Sequence, residues 1–126
     1  MDQSYPMKNT FLVIVEILIL MLPALNATAQ DATSCVTIPN REQGTRCGNR
    51  NSQVAYFQNG CTIPIEVKYC LQRSTGKSDC GKATLRAGEA TSGYVCDGTG
   101  KYWYQARMPN TNVRFVPDAV IPWDRR

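Results

Sequence analysis

Six cysteines, Cys35, Cys47, Cys61, Cys70, Cys80 and Cys96, are the residues here whose type could do chemistry as nucleophiles, redox pairs, metal ligands or staples. Two of them bracket the stretch "CTIPIEVKYC", Cys61 to Cys70. Read as an extended strand, that spacing separates their Cα atoms by roughly 30 Å, whereas a disulfide needs less than about 7 Å. Their odd separation also points them to opposite faces. They neither bond to each other nor share a metal. Zinc is disfavoured throughout, since the chain has no histidine and no C-x2-C pair. A catalytic thiol lacks its usual histidine base for the same reason. No metal site and no cofactor are expected, and the cysteines read as three structural disulfides. Cys70 and Cys80 flank a polar loop and are expected to pair. Cys35 with Cys47, and Cys61 with Cys96, complete the expected set.

The remaining chemistry would rest on carboxylates. Glu66, Asp79, Glu89 and Asp97 are the candidates, and a glycosidase would need two of them converging across a cleft. Glu66 and Lys68 share a strand face and read as a surface ion pair; Glu89 and Asp97 sit in turns. The "DGTG" turn at Asp97 offers one carboxylate, too few oxygens for a calcium loop. The expectation is therefore a protein that is not an enzyme. A binding signal is more prominent in "GYVCDGTGKYWYQAR", where Tyr94, Tyr102, Trp103 and Tyr104 crowd together beside Lys101 and Arg107. If Tyr102 and Tyr104 face the core, Trp103 stands opposite among Lys101, Gln105 and Arg107. A tryptophan so placed suits stacking on a sugar or insertion into a partner, and packing in a second layer is the other outcome. Trp103, Lys101, Arg107 and Tyr94 are the candidate binding residues.

The elements that must hold these residues read as strands. "SQVAYFQ", "CTIPIEVKYCL" and "KYWYQARM" alternate with period two, and "CGKATLR" and "TSGYVC" read as short strands between turns. Asn59-Gly60 reads as a two-residue hairpin turn that would set Tyr56 against Ile63 and Val54 against Ile65. Pro64 then argues for an edge or a bulge. "NVRFV" reads as a last strand before the tail. No window combines helical periodicity with caps. The expected fold is all-β, a small disulfide-stapled antiparallel β-sandwich or barrel of about five or six strands.

Residues 1–29 read as a signal peptide, 30–51 as an irregular N-terminal arm, and 52–126 as the β-rich domain with a C-terminal tail. The run "FLVIVEILILMLPAL" is too short and too interrupted, by Glu16 and Pro23, to span a membrane, and Ala27-Thr28-Ala29 offers a cleavage site. Met7 is an alternative start, placing Lys8 directly before the apolar run. Cleavage would leave Gln30–Arg126 with 13 Lys or Arg against 8 Asp or Glu. These charges are scattered, which disfavours nucleic acid and weakly favours an anionic partner. Secreted or periplasmic localisation follows, with no membrane association after cleavage.

The segments "NGC", "VKYC" and "YVC" resemble small cysteine-containing exported bacterial proteins. Periplasmic lysozyme inhibitors are similar in size and compartment, but their S-G-x-x-Y motif is not matched, since Tyr94 follows Ser92-Gly93 at once. The leading expectation is an exported, non-enzymatic binding or inhibitory module whose partner is an extracytoplasmic protein or glycan. The alternatives are a small carboxylate-dependent enzyme acting on cell wall or polysaccharide, and an immunity or toxin partner protein.

Overall fold

A computed structural model describes residues 30–48 and 50–123. The expected signal peptide lies outside them. A 3-10 turn at Thr33–Cys35 leads to β1 (Val36–Thr37), β2 (Arg41–Cys47), β3 (Arg50–Asn59), β4 (Ile65–Arg73), β5 (Ser78–Leu85), β6 (Ala90–Cys96) and β7 (Gly98–Arg107). A second 3-10 turn, Asp118–Val120, lies in the tail. The strands form two antiparallel sheets. In one, β3 is central, with β1 and β2 successive along one side and β6 along the other. In the other, β4 lies between β5 and β7. The fold is all-β as expected, in two antiparallel sheets, with seven strands rather than five or six.

Two expectations change. The segment 30–51 is not irregular: β2 pairs with β3 from Arg41↔Ala55 to Cys47↔Arg50 around a turn containing Gly48, whose φ is 70°. Its sequence "REQGTRC" has no apolar alternation because β2 is an edge strand. Asn59-Gly60 is not a hairpin turn either. A type I′ turn needs positive φ at both central residues, and neither Asn59 nor Gly60 has it. Instead the chain crosses there from one sheet to the other. Val54 therefore faces Glu42 and Tyr94, and Ile65 faces Leu85. Pro64 ends this crossing, outside any strand.

Between the sheets, Phe57 of β3 is fully buried. It stacks on Tyr69 at 5.1 Å and meets Tyr104 and Tyr102 edge-on at 6.0 and 6.3 Å. Small residues make room for these rings. A Cβ at Gly81 would lie 2.5 Å from the Tyr69 hydroxyl oxygen, so β5 lets Tyr69 lie across its backbone. Ile65, Val67, Leu71, Leu85, Val95 and Ala106 fill the remaining interior.

The crossing is fastened by Asn59, which is completely buried. Its backbone N–H donates to Glu89 O and its carbonyl accepts from Gly88 N–H, both at 2.9 Å. The side-chain amide donates to Ile63 O (2.7 Å) and Leu85 O (3.1 Å), while Oδ1 accepts from Cys61 N–H (2.9 Å). One side chain thus satisfies backbone groups on both chain crossings, β3 to β4 and β5 to β6.

The disulfides join Cys35 to Cys61, Cys47 to Cys96 and Cys70 to Cys80. The expected Cys35–Cys47 and Cys61–Cys96 pairs are exchanged for the first two, for a topological reason. Pairing of Val36 with Asn59 brings Cys35 beside the crossing, where Gly60 N–H donates to Cys35 O at 2.8 Å. A bulge between Gly44 and Cys47 carries the end of β2 towards Cys96, which lies one strand beyond Ser52 in the ladder. Cys70 and Cys80 are direct cross-strand neighbours. With sequence separations of 26, 49 and 10, loop closure alone assigns the three bridges about 3.5, 4 and 3 kcal/mol. The bridge between β2 and β6 constrains the unfolded chain most.

Peptide mapping of the unreduced protein is expected to recover Cys35–Cys61, Cys47–Cys96 and Cys70–Cys80; a Cys35–Cys47 peptide would refute the topology of β1 and β2. Asn59→Ala leaves the buried Leu85 carbonyl, and the part-buried Ile63 carbonyl and Cys61 N–H, without their side-chain partner, at about 1 to 3 kcal/mol for each group left unsatisfied. Urea denaturation should therefore show a loss of about 3 kcal/mol or more; a loss under about 1 kcal/mol would contradict the role given to Asn59.

Candidate binding site between the β2 and β7 edges

The four residues expected to form one binding face lie in separate places. Trp103 is on the outer face of its sheet, as alternation required, but it is only 7% exposed. It packs with Cys70 and Ile121, and Cys80, Val116 and Trp123 complete this cluster. The expectation that Trp103 is presented to a partner is therefore corrected: the C-terminal tail covers it. Arg107 is also engaged. It donates to Glu66 at 2.8 Å and to Val113 O at 2.7 Å, and its guanidinium lies 4.2 Å from the Phe115 ring centroid. Tyr94 is exposed on the other sheet, and its hydroxyl donates to the Cys47 sulfur at 2.8 Å. Lys101 stands at a cleft apart from the other three.

Side chains hold the tail in place of a strand ladder, which is why "NVRFV" forms no strand. The Gln105 amide donates to Arg114 O (3.2 Å) and accepts from Val116 N–H (2.9 Å). Lys68, buried on the outer face of β4, donates to Val116 O at 2.6 Å and forms an ion pair with Asp118. Ser78 donates to Asp118 O. The apolar end, Ile121 and Trp123, then seals Trp103 against the Cys70–Cys80 bridge.

The open side of the sandwich holds a cleft of about 270 Å3 between β2 and the start of β7. Arg41, Gln43, Gln53, Lys101 and Tyr102 line it. The Arg41 guanidinium lies 5.2 Å from the Tyr102 ring centroid, a cation–π contact. Gln53 is fixed because its Oε1 accepts Gly100 N–H at 2.9 Å, which is possible because Gly100 adopts a φ of 87°. Among the described residues neither Arg41 nor Lys101 forms an ion pair. The cleft thus presents two cations and an aromatic wall, with one acidic residue, Glu42, also in its lining. Arg41 and Gln53 gave no signal in the sequence. They become neighbours of Lys101 only when β2 adds to β3 and β7 folds over them.

A second groove, about 380 Å3, lies between the β4–β5 turn and β6 and is lined by Arg73, Ser74, Asp79, Tyr94 and Asp97. Two of the four candidate acidic residues, Asp79 and Asp97, are in its lining. Asp79 accepts two hydrogen bonds from Arg73, at 3.0 and 2.7 Å. Asp97 is where the chain passes from β6 to β7, with a φ of 52°; its N–H donates to Asn51 O and its carbonyl accepts from Ser74 N–H. Glu66 is paired to Arg107, and Glu89 lies 3.8 Å from Arg86 on the surface. No group of three or more metal-ligating side chains occurs among the described residues.

Compared with protein-family models, with curated proteins and with solved structures, the chain matches none.

Trp103 and Trp123 are the only tryptophans, so Trp123→Phe leaves Trp103 as a single reporter of the tail. Its fluorescence should resist quenching by iodide, and Lys68→Met, which frees Val116 O and Asp118, should raise the quenching constant by about twofold or more. Ready quenching of Trp103 in the parent would contradict its burial.

Proposed function

We propose that the protein is a secreted or periplasmic binding module, inhibitory or otherwise, that engages an extracytoplasmic protein or glycan through the cleft between β2 and β7. The observation that carries this reading is the pair of cations, Arg41 and Lys101, that have no ion partner among the described residues and lie beside Tyr102 in a cleft built on two edge strands. Donors fixed on rigid elements suit recognition of an anionic or hydroxyl-rich group, because little ordering is needed on binding. Three disulfides fit an oxidising compartment. They give a 97-residue mature domain durability outside the cell, where proteases act on transiently opened chains.

A second reading takes its support from the groove that Asp79 and Asp97 share. A carboxylate-dependent hydrolase of cell-wall polysaccharide would place its acid and base there. Turnover of such a polysaccharide, abolished by Asp97→Asn, would favour this reading over the first.

Capture from an extracytoplasmic extract separates the cleft from the covered face. The Arg41→Glu, Lys101→Glu double variant should lower recovery of the partner by about tenfold or more, as charge reversal at an interface does. Val120→Ala, on the exposed tail, should leave recovery unchanged. The opposite pattern would defeat the proposal.

A further inference from the structure

The edge of β7 beside this cleft has its own hydrogen-bonding capacity. Ala106 N–H donates to Thr33 Oγ1 at 3.0 Å, and Ala106 O accepts from Ala32 N–H at 3.0 Å. Both main-chain groups of Ala106 therefore point away from β4. In an antiparallel strand these directions alternate from residue to residue, and the register with β4 runs without a shift from Ala106 to Tyr102. The N–H and C=O groups of Tyr104 and Tyr102 point the same way. Among the described residues no strand pairs with β7 on that side.

The chain itself shows how the edge accepts a strand. Gln30 O accepts from Met108 N–H at 3.0 Å, and Asp31 forms an antiparallel bridge with Arg107. After Thr33 the segment turns inward to β1. A groove of about 350 Å3 remains along the edge beyond it, lined by Thr33, Tyr102, Trp103, Tyr104 and Val116, with Asp31 as its one acidic residue. Tyr102 is shared between this groove and the cleft that Lys101 and Arg41 line. The edge made by β1 and β2 is less suited: it is interrupted at Pro39 and bulged between Gly44 and Cys47.

Resting on the cleft reading above, we propose that the partner is an extended acidic peptide segment that adds to β7 as a further antiparallel strand, continuing the line begun by Gln30–Thr33. Tyr102 and Tyr104 would supply four main-chain hydrogen bonds, the source of affinity in strand addition. Acidic side chains meeting Arg41 and Lys101 would supply selectivity by charge complementarity.

The probe is a blocked peptide of alternating glutamate and threonine, about eight residues long. It is compared with its backbone N-methylated form, its lysine-for-glutamate counterpart, and an oligogalacturonate of similar charge. Binding is followed by titration, and amide exchange is read at Tyr102 and Tyr104. The acidic peptide should bind and protect both amides, and N-methylation should abolish binding. Lys101→Glu should weaken it by about tenfold. Absence of binding by the acidic peptide, equal binding of the N-methylated or lysine peptide, or binding that leaves both amides unprotected overturns strand addition. Oligogalacturonate binding that is lost in the Arg41→Glu, Lys101→Glu variant without amide protection overturns strand addition while leaving the cleft as a binding site. If neither probe binds and the double variant still captures the partner, the cleft reading falls as well.

Discussion

The buried amide of Asn59 is the constraint on which the two-sheet arrangement depends. Each time the chain leaves one sheet for the other it breaks a ladder and exposes peptide groups, and two such crossings lie at the same end of the sandwich. Asn59 is itself fully buried, and its side chain, with two donors and an acceptor, meets three of these groups, one of them buried and two part-buried. Among common side chains of this size only an amide offers that set. The Cys35–Cys61 bridge lies next to it along the chain, so the node is secured covalently on one side and by hydrogen bonds on the other.

With that end closed, the two faces and two sides of the sandwich take different roles. The outer face of the β5-β4-β7 sheet is covered by the tail, and buried Lys68 is tolerated there because a carbonyl and a carboxylate receive its charge. The open side between β2 and β7 is not covered. Its cations lack ion partners among the described residues, and its edge carbonyls and amides lack a strand. The scaffold is saturated with internal contacts where it must be stable, and unsaturated where it can bind.

Much of the fold was legible in the sequence. Alternation in "KYWYQARM" placed Tyr102, Tyr104 and Ala106 inward and Trp103 outward, because a half-buried strand must sort its side chains by face. The pairing of Cys70 with Cys80 followed from two strands joined by a short polar loop. The burial of Trp103 was not legible, because the segment that covers it is held by Gln105 and Lys68 through individual side-chain bonds that leave no periodic trace. Asn59-Gly60 misled for a related reason. Asparagine favours tight turns through its tolerance of left-handed backbone, but here it serves through its amide, in a backbone that is not left-handed. The polar strand β2, and with it Arg41, had no hydrophobic pattern to reveal it.

Native-state amide exchange in the free protein tests this division between saturated scaffold and unsaturated edge most directly. The amides of Cys61, Gly88 and Asn59 should exchange only through global unfolding, while those of Tyr102 and Tyr104 should exchange at rates close to those of open chain. Fast exchange around Asn59, or strong protection of Tyr102 and Tyr104 with no partner present, would contradict the account.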